Sequence, residues 1–131
     1  MSNFSILLVE DDRLNRELIN DLLSPYGYNI VNAGNGFEAL DKIQNYDFDL
    51  ILLDIQLPQM DGLELLSELK NNFVSINIPV VALTAHAMLG DKKKFINAGC
   101  DGYISKPVDV ELFGNQVKEY LTNNKTVNVS Q

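Results

Sequence analysis

Short apolar runs recur along the chain, and two of them are bracketed by turn signals. Runs of about five residues are too short for helices, and a run that is apolar at every position is typical of a strand buried on both faces. The pattern therefore predicts five strands: Ile6 to Val9, Tyr28 to Val31, Leu50 to Leu53, Val80 to Leu83, and Tyr103 to Ile104.

Between these runs, hydrophobic residues recur at helical spacing. The segment from Met88 to Ala98 has the weakest apolar stripe but is still interpreted as a helix, closed by Gly99. Gly27 is predicted to end the first helix in the same way, and Asp109 is a candidate N-cap of the last one. The apolar faces predicted for the other four helices are Leu14, Leu18, Ile19, Leu22 and Leu23; Phe37, Leu40 and Ile43; Leu65, Leu66 and Leu69; and Phe113, Val117, Tyr120 and Leu121.

Five strands that alternate with five helices indicate an α/β fold, a doubly wound parallel sheet with helices on both faces. A chain of 131 residues is long enough for one such domain. We expect the domain to span residues 1–122, and the polar segment 123–131 to fray because it lacks hydrophobic periodicity. In sheets of this kind, ligands bind at the carboxyl ends of the strands.

Charge and cysteine content narrow the classes of function. The formal net charge of −8 argues against unaided binding to nucleic acid or to an anionic membrane. No apolar run approaches the roughly 18 residues that span a bilayer. The one cysteine, Cys100, cannot form an internal disulfide and is interpreted as a small buried residue. This cysteine usage suits a reducing cytosol, so a cytoplasmic protein is expected.

Polar residues that could do chemistry follow four of the five predicted strands. Glu10 and Asp11 come after the first strand, Asp54 after the third, Thr84 after the fourth and Lys106 after the fifth. If the first and third strands are neighbours, three carboxylates meet in one crevice, and oxygen ligands favour a hard cation such as Mg²⁺. With a lysine and a threonine opposite, the set suits phosphoryl transfer to a carboxylate. Taken alone, Asp54 has a competing interpretation as an N-cap or turn residue.

Four motifs occur in the order ILLVEDD, LILLDIQLPQMDG, VVALTAHAM and GYISKP. Together they resemble the receiver domain of two-component response regulators, and the resemblance runs from about Ser5 to Leu121. It implies a flavodoxin-like (βα)5 fold with strand order 2-1-3-4-5. The combination of ALTAHAM with GCDGYISKP is most similar to receivers of stand-alone phosphorelay regulators and of hybrid histidine kinases.

The resemblance implies that Asp54 is the phosphoacceptor and that Lys106 contacts the phosphoryl group, with a cis peptide bond between Lys106 and Pro107. The implied cofactor is Mg²⁺ (or Mn²⁺). Its ligands would be Asp54 and Asp11 directly, Glu10 through water, and the backbone carbonyl of Gln56.

The resemblance also implies a switch, in which the hydroxyl of Thr84 moves towards the phosphoryl oxygens and the ring of Tyr103 turns inward. Gln56 and His86 would tune the access of water to the phosphoryl group. The competing interpretations are a strand-end residue for Thr84, ordinary packing for Tyr103 and an exposed histidine for His86. Lys106 could likewise be a solvated lysine before a turn proline.

Asp12 is not carried over as a ligand and is a candidate N-cap of the first helix. Asn15 and Arg16 are interpreted as helix surface. Lys92 to Lys94 are interpreted as a solvated face, with a contact to an acidic partner as the alternative.

The function implied is a phosphoacceptor switch that catalyses only its own phosphorylation and dephosphorylation, and so is not an enzyme in the usual sense. The implied partners are a histidine kinase or a histidine phosphotransfer protein as donor and a downstream protein target. The target would be bound by the surface of the fourth helix, fifth strand and fifth helix. A monomer or weak dimer is expected, without nucleic acid or membrane.

The sequence leaves open whether the receiver stands alone and whether the same residues serve another kind of chemistry. Because the chain starts at Met1 and ends shortly after the last helix, a stand-alone receiver is favoured over a fragment of a hybrid histidine kinase. An aspartyl-nucleophile phosphatase would need a second Asp where Gln56 stands. A flavin-binding electron carrier would need a phosphate loop where Glu10 and Asp11 stand.

Overall fold

The computed structural model describes residues 4–57, 59–72, 78–85 and 91–130. The strands are β1 (Ser5–Val9), β2 (Asn29–Ala33), β3 (Leu50–Asp54), β4 (Val80–Thr84) and β5 (Gly102–Ser105), and the helices are α1 (Arg13–Leu23), α2 (Gly36–Asn45), α3 (Gly62–Asn72), α4 (Asp91–Asn97) and α5 (Phe113–Ser130). A 3₁₀ turn, Ser24–Tyr26, follows α1. No helix in these described ranges combines the length and apolarity needed to cross a membrane.

The five strands form one parallel sheet in the order β2-β1-β3-β4-β5. The predicted α/β fold and the strand order implied by the resemblance are both confirmed. In the central strands β1 and β3, successive side chains point to opposite faces, and both faces are buried. This double burial is the reason why the strands read as uninterrupted apolar runs.

Two hydrophobic clusters cover the two faces of the sheet. On one face, Ile19 and Leu23 of α1 and Phe113 and Val117 of α5 pack against strand residues such as Leu8. On the other face, residues of α2 and α3 pack against the alternate strand residues, and this cluster includes Ala39, Leu65, Leu66, Leu69, Leu7, Val9, Ile51, Leu53 and Cys100. The sheet is therefore the middle layer of three, and Cys100 is buried as predicted.

Part of the apolar face predicted for α1 is wrong. Ile19 and Leu23 are buried, but Leu14 is 75% exposed and Leu18 is 37% exposed. Residues four apart lie above one another on a helix. The line that contains Leu14 and Leu18 is therefore rotated away from the line of Ile19 and Leu23, which faces the sheet.

The stripe predicted for α2 is corrected in the same way. Phe37 is 57% exposed, whereas Gly36 and Ala39 are buried. These small residues let α2 approach its neighbours closely, and a Cβ atom added at Gly36 would lie 2.8 Å from the sulfur of Met60. The apolar faces predicted for α3 and α5 are confirmed, with Tyr120 only partly buried.

Several predicted helix ends are close to the observed ones. Gly27 (φ 75°) closes the 3₁₀ turn after α1, and Gly99 (φ 108°) follows α4, where its N–H donates to the Ile96 carbonyl. Asp109 accepts N–H bonds from Glu111 and Leu112 ahead of α5. Of the predicted fourth helix, Met88 to Gly90 lie outside the described residues.

The last helix continues past the predicted domain boundary at residue 122, and the expected fraying of residues 123–131 stays a prediction. The backbone of α5 is helical as far as Ser130, well beyond Leu121, where the apolar pattern ends. The sequence after Gly114 contains no proline or glycine, so no residue there interrupts helical hydrogen bonding.

Gly62 seats the start of α3 directly against the end of β3. Its N–H donates to the carbonyl of Ile55 at 2.8 Å. A Cβ atom at this position would lie 2.7 Å from the Cα of Ile55 and 2.8 Å from the carbonyl oxygen of Asp54. The absence of a side chain therefore permits the close approach that places α3 beside Asp54.

We predict that Gly62→Ala lowers the free energy of unfolding by about 1–3 kcal/mol, because backbone atoms must move to accept the methyl group. Urea denaturation of the metal-free protein measures the effect. Gly34→Ala is the matched control, since its new Cβ would lie no closer than 3.6 Å to any neighbour. Equal stability of the two variants would contradict the close approach.

Candidate functional site

Three carboxylates meet at the carboxyl end of the sheet. Glu10 directly follows β1 and Asp54 ends β3, and these two strands are hydrogen-bonded neighbours in parallel register. Oxygen atoms from the carboxylates of Glu10, Asp11 and Asp54 all lie within 4.8 Å of one another. Glu10 (0% exposed) and Asp54 (2% exposed) are buried, whereas Asp11 is exposed. The structure thus brings together the acidic residues that the sequence placed in one crevice.

Glu10 is held by hydrogen bonds from several directions. Its N–H donates to the carbonyl of Ala33 at 3.0 Å, and its own carbonyl accepts from Nη1 of Arg16 at 3.0 Å. Its Oε2 accepts from the N–H of Asp12 at 3.2 Å. Burial raises the pKa of the Glu10 carboxyl to about 7, and the hydrogen bond and negative charge of Asp54 add to the effect. The Glu10 carboxyl is therefore harder to ionise in the folded protein than a carboxyl in water.

Asp54 is oriented through both of its oxygen atoms. Oδ1 accepts from the N–H of Gln56 at 3.0 Å, and Oδ2 lies 3.1 Å from Nζ of Lys106. The hydrogen bond from the N–H of Gln56 is a local turn contact, so forming a turn is one of the roles of Asp54. Asp54 does not cap α3, because Asp61 accepts the N–H of Glu64 there. A residue that only forms a turn does not need a partly buried lysine beside it, so the ion pair indicates a second role for Asp54.

Lys106 lies opposite the carboxylates, 3.4 Å from Oε1 of Glu10 as well as 3.1 Å from Asp54. Burial alone would lower the pKa of Lys106, but the charges of Asp54 and Glu10 outweigh it and raise that pKa. The side chain is 19% exposed, so Lys106 is not the freely solvated lysine of the competing interpretation. The peptide bond between Lys106 and Pro107 is cis, as the resemblance implied.

Thr84 is buried at the carboxyl end of β4, next to β3. Its carbonyl accepts the N–H of Lys106 at 2.8 Å, which joins the ends of β4 and β5. Tyr103, in β5, is half-buried and packs against the cluster that includes Ala82 and Leu65. Packing is thus one real role of this tyrosine. Tyr103 also lines a groove of about 340 Å³ whose other walls are Ile104, Ser105, Pro107, Asp109 and Gln116.

The remaining predicted residues lie at the rim of the site or outside the described part of the chain. The side chain of Gln56 is exposed. Asp12 caps α1, since its Oδ1 accepts the N–H of Leu14 at 2.9 Å. His86 lies outside the described residues. Lys93 and Lys94 are exposed, as expected for a solvated face.

Arg16 was missed by the sequence interpretation, which left it as helix surface. It is only partly exposed, and its guanidinium donates to the main chain of Glu10. Side chains of a helix lean towards its N-terminus, so a long residue in the first turn of α1 can reach back to the end of β1. That rule was the signal in the sequence.

The donor set fits a hard divalent cation. The carboxylates supply only oxygen atoms, which Mg²⁺ prefers. Among the described residues, Lys106 is the cation that forms ion pairs with them. Burial is the main cause of the raised pKa of Glu10, the negative charge of Asp54 adds to it, and Lys106 offsets only part of the rise. The cluster is therefore a site that could bind a metal ion.

Comparison with known proteins identifies the same domain. The sequence profile of the response regulator receiver domain matches residues 6–118. The polar-differentiation response regulator DivK of Brucella anthropi is 45% identical over 117 residues, which cover 89% of this chain and 95% of the relative.

Solved structures agree with the sequence match. The chemotaxis response regulator CheY4 of Vibrio cholerae superposes with a TM-score of 0.85 at 27% identity, covering 92% of this chain and 100% of that one. The signal receiver domain of a signal transduction histidine kinase from Syntrophus aciditrophicus gives 0.80 at 32% identity, covering 92% and 91%.

We predict that Lys106→Met lowers the free energy of unfolding of the metal-free protein by about 1–3 kcal/mol, because two buried carboxylates lose their cation. The loss should be larger above pH 7 than below it. Folded Glu10 has a pKa of about 7 against its ordinary 4.5. Its ionisation therefore destabilises the folded state progressively as the pH rises through this interval.

Urea denaturation in EDTA at several pH values measures this effect. Lys118→Met removes an exposed lysine from α5 and should change stability by about 0.5 kcal/mol or less at any pH. If the two variants behave alike, Lys106 does not neutralise the acidic cluster.

Proposed function

This chain belongs to the family of response regulator receiver domains, and we propose that Asp54 is the residue of this chain that accepts the phosphoryl group. Receiver domains are phosphoacceptor signalling switches of two-component systems, and this is the function of the chain. The observation that supports Asp54 is its buried carboxylate, paired with Lys106 and surrounded by two further carboxylates. The donor proposed is the phosphorylated imidazole of a histidine kinase or of a histidine phosphotransfer protein.

In the proposed transfer, a carboxylate oxygen of Asp54 attacks phosphorus. A P–O bond forms, the P–N bond to the donor imidazole breaks, and the imidazole nitrogen keeps the electron pair. The N–H of Gln56 holds one oxygen of Asp54 and so fixes the direction of the carboxylate. Nζ of Lys106 lies 3.1 Å from Oδ2 of Asp54, so it is close enough to bind the negatively charged phosphoryl oxygens after the transfer.

The ligands proposed for Mg²⁺ or Mn²⁺ are Asp11, Asp54, Glu10 through water, and the backbone carbonyl of Gln56. When bound, such an ion neutralises negative charge on the phosphoryl oxygens. Asp11 is exposed and can change its orientation, whereas Glu10 is buried and fixed. The proposed division between a direct ligand and one that acts through water is consistent with this difference.

The proposed switch uses Thr84 and Tyr103. Thr84 shares the carboxyl edge of the sheet with Asp54, and its carbonyl holds the backbone of Lys106. A shift of its hydroxyl towards a phosphoryl group can therefore be transmitted to the end of β5. The half-buried ring of Tyr103 is two residues from that end. We propose that Gln56 and His86 tune how readily water reaches the phosphoryl group.

The surface proposed for the downstream protein is formed by α4, β5 and α5. The groove beside Tyr103 opens on this surface, and the buried Oε1 of Gln116 in its wall has no hydrogen-bond partner among the described residues. Polar and apolar groups in one concave site are typical of ligand-binding sites. A monomer or weak dimer in a reducing cytoplasm remains our proposal, and a sequence whose one cysteine, Cys100, is buried suits such a compartment.

The alternative enzyme classes are less well supported. A phosphatase with an aspartyl nucleophile needs a second acid where Gln56 stands, and an amide cannot donate a proton in that role. A flavin phosphate would meet the carboxylates of Glu10 and Asp11 at the end of β1. The proposed chemistry is therefore limited to the phosphorylation and dephosphorylation of this chain itself.

We predict that acetyl phosphate or phosphoramidate adds one phosphoryl group to the wild-type protein in Mg²⁺ and none in EDTA. Intact mass spectrometry measures the addition. Asp54→Ala should remain unmodified because it lacks the nucleophile. Asp12→Asn is the matched control: it removes a neighbouring carboxylate but keeps a side chain that caps α1, so it should be phosphorylated like the wild type.

Phosphorylation of Asp54→Ala would move the acceptor to another residue. No phosphorylation of the folded wild type by either small donor or by a phosphorylated histidine phosphotransfer domain would contradict the proposed chemistry.

We also predict that α4 changes its dynamics on phosphorylation. Its helix has only seven residues, Asp91–Asn97, so it should be among the less stable elements. Amide hydrogen exchange at these residues should change in the presence of acetyl phosphate and Mg²⁺, while exchange in α2 stays constant. Asp54→Ala under the same conditions should show no change. Unchanged amide hydrogen exchange at Asp91–Asn97 in the phosphorylated wild type would show that α4 takes no part in the switch.

A further inference from the structure

Arg16 links α1 to the loop that carries the acidic pair. Its Nη1 donates to the carbonyl of Glu10 at 3.0 Å, across six positions of sequence. Glu10 is the first residue beyond β1, so its carbonyl lies where the chain leaves the sheet. This carbonyl and the N–H of Asp11 belong to one planar peptide unit. The guanidinium therefore fixes the orientation of the Glu10–Asp11 peptide, and with it the position of the Asp11 backbone that carries the side chain.

Arg16 is itself held in place by neighbouring residues. Its N–H donates to the carbonyl of Asp12 at 2.9 Å in the first turn of α1. Its carbonyl accepts from Nδ2 of Asn20 at 2.7 Å, and the same amide nitrogen donates to Oδ1 of Asn32 in β2 at 2.9 Å. The helix is thus fastened to the edge of the sheet at the residue that reaches back to Glu10. This support fixes the main chain from which the Arg16 side chain extends to the carbonyl of Glu10.

We infer that Arg16 is a positioning residue that fixes the Glu10–Asp11 peptide so that the acidic pair can bind the divalent cation. The inference rests on the proposed function, because it concerns the same metal site. Within the described part of the chain, the guanidinium donates to the main chain of Glu10, and the proposed role acts through that bond.

The sign of the effect separates positioning from simple electrostatics. A guanidinium next to a cation site repels the cation, so removal of its charge alone should tighten Mg²⁺ binding. Loss of a hydrogen bond that orients the ligand loop should weaken binding, as is typical for groups that support metal ligands. A purely structural role would lower the stability of the fold and leave the affinity of the folded protein unchanged.

The test is isothermal titration of metal-free protein with Mg²⁺, for the wild type, Arg16→Met and Arg13→Met. Arg13 lies in the same turn of α1, is exposed, and pairs with Glu17 at 2.9 Å. Its loss removes the same charge without touching Glu10. We expect Arg16→Met to bind Mg²⁺ about 10-fold more weakly than the wild type, and Arg13→Met to bind as tightly or slightly more tightly.

A second measurement follows phosphorylation by acetyl phosphate as a function of Mg²⁺ concentration. In Arg16→Met the half-saturating concentration should rise about 10-fold, while the rate at saturation stays close to that of the wild type. Urea denaturation in EDTA establishes that the variant is folded. If it is not, Arg16→Gln, with a shorter polar side chain, replaces it.

Equal or tighter Mg²⁺ binding by a folded Arg16 variant would overturn the inference and leave the proposed metal site intact. A wild-type protein that binds no Mg²⁺ would contradict the metal site of the proposed function, and Arg16 would then have no ligand pair to position. Weaker binding by Arg13→Met to the same extent would also overturn the inference, since it would show a general effect of charge on α1.

Discussion

The ion pairing of Lys106 with Glu10 and Asp54 is the interaction on which the site depends. Its ammonium lies 3.4 Å from one buried carboxylate and 3.1 Å from the other. Without a cation, two charges so far from water would repel each other at considerable cost. Lys106 reaches them only because β5 ends at the same edge of the sheet as β1 and β3. The strand order therefore places a positive charge beside the buried carboxylates and reduces the repulsion between them.

Lys106 compensates only part of the negative charge of the three carboxylates, and such partial compensation suits a switch. One ammonium opposes three carboxylates, and the pKa of Glu10 stays raised to about 7. The surrounding fold tolerates this because strand residues on both faces of the sheet, such as Leu7 on one face and Leu8 on the other, are fully buried. A group that adds negative charge at Asp54 acts on Lys106 directly, because Asp54 is buried and its Oδ2 lies 3.1 Å from the Lys106 ammonium.

Local chemistry explains which parts of the fold were predictable from the sequence. Short apolar runs and the residues that follow them depend only on neighbours in the chain, and all five strands were predicted within a few positions. The N-cap at Asp12 and the caps before α5 are equally local. The exposure of Leu14 and Phe37 was not predictable. A hydrophobic stripe on a helix does not determine which of two adjacent lines of residues faces the sheet.

The fold class and the list of polar residues at the strand ends were predictable from the sequence, because both follow from periodicity and from where each apolar run stops. Only the tertiary structure decided the distances between those residues, which carboxylates are buried, and which cation pairs with them. It alone showed that Arg16 holds the main chain of Glu10. The contact between Lys106 and Glu10 joins residues 96 positions apart, and no local pattern encodes its geometry.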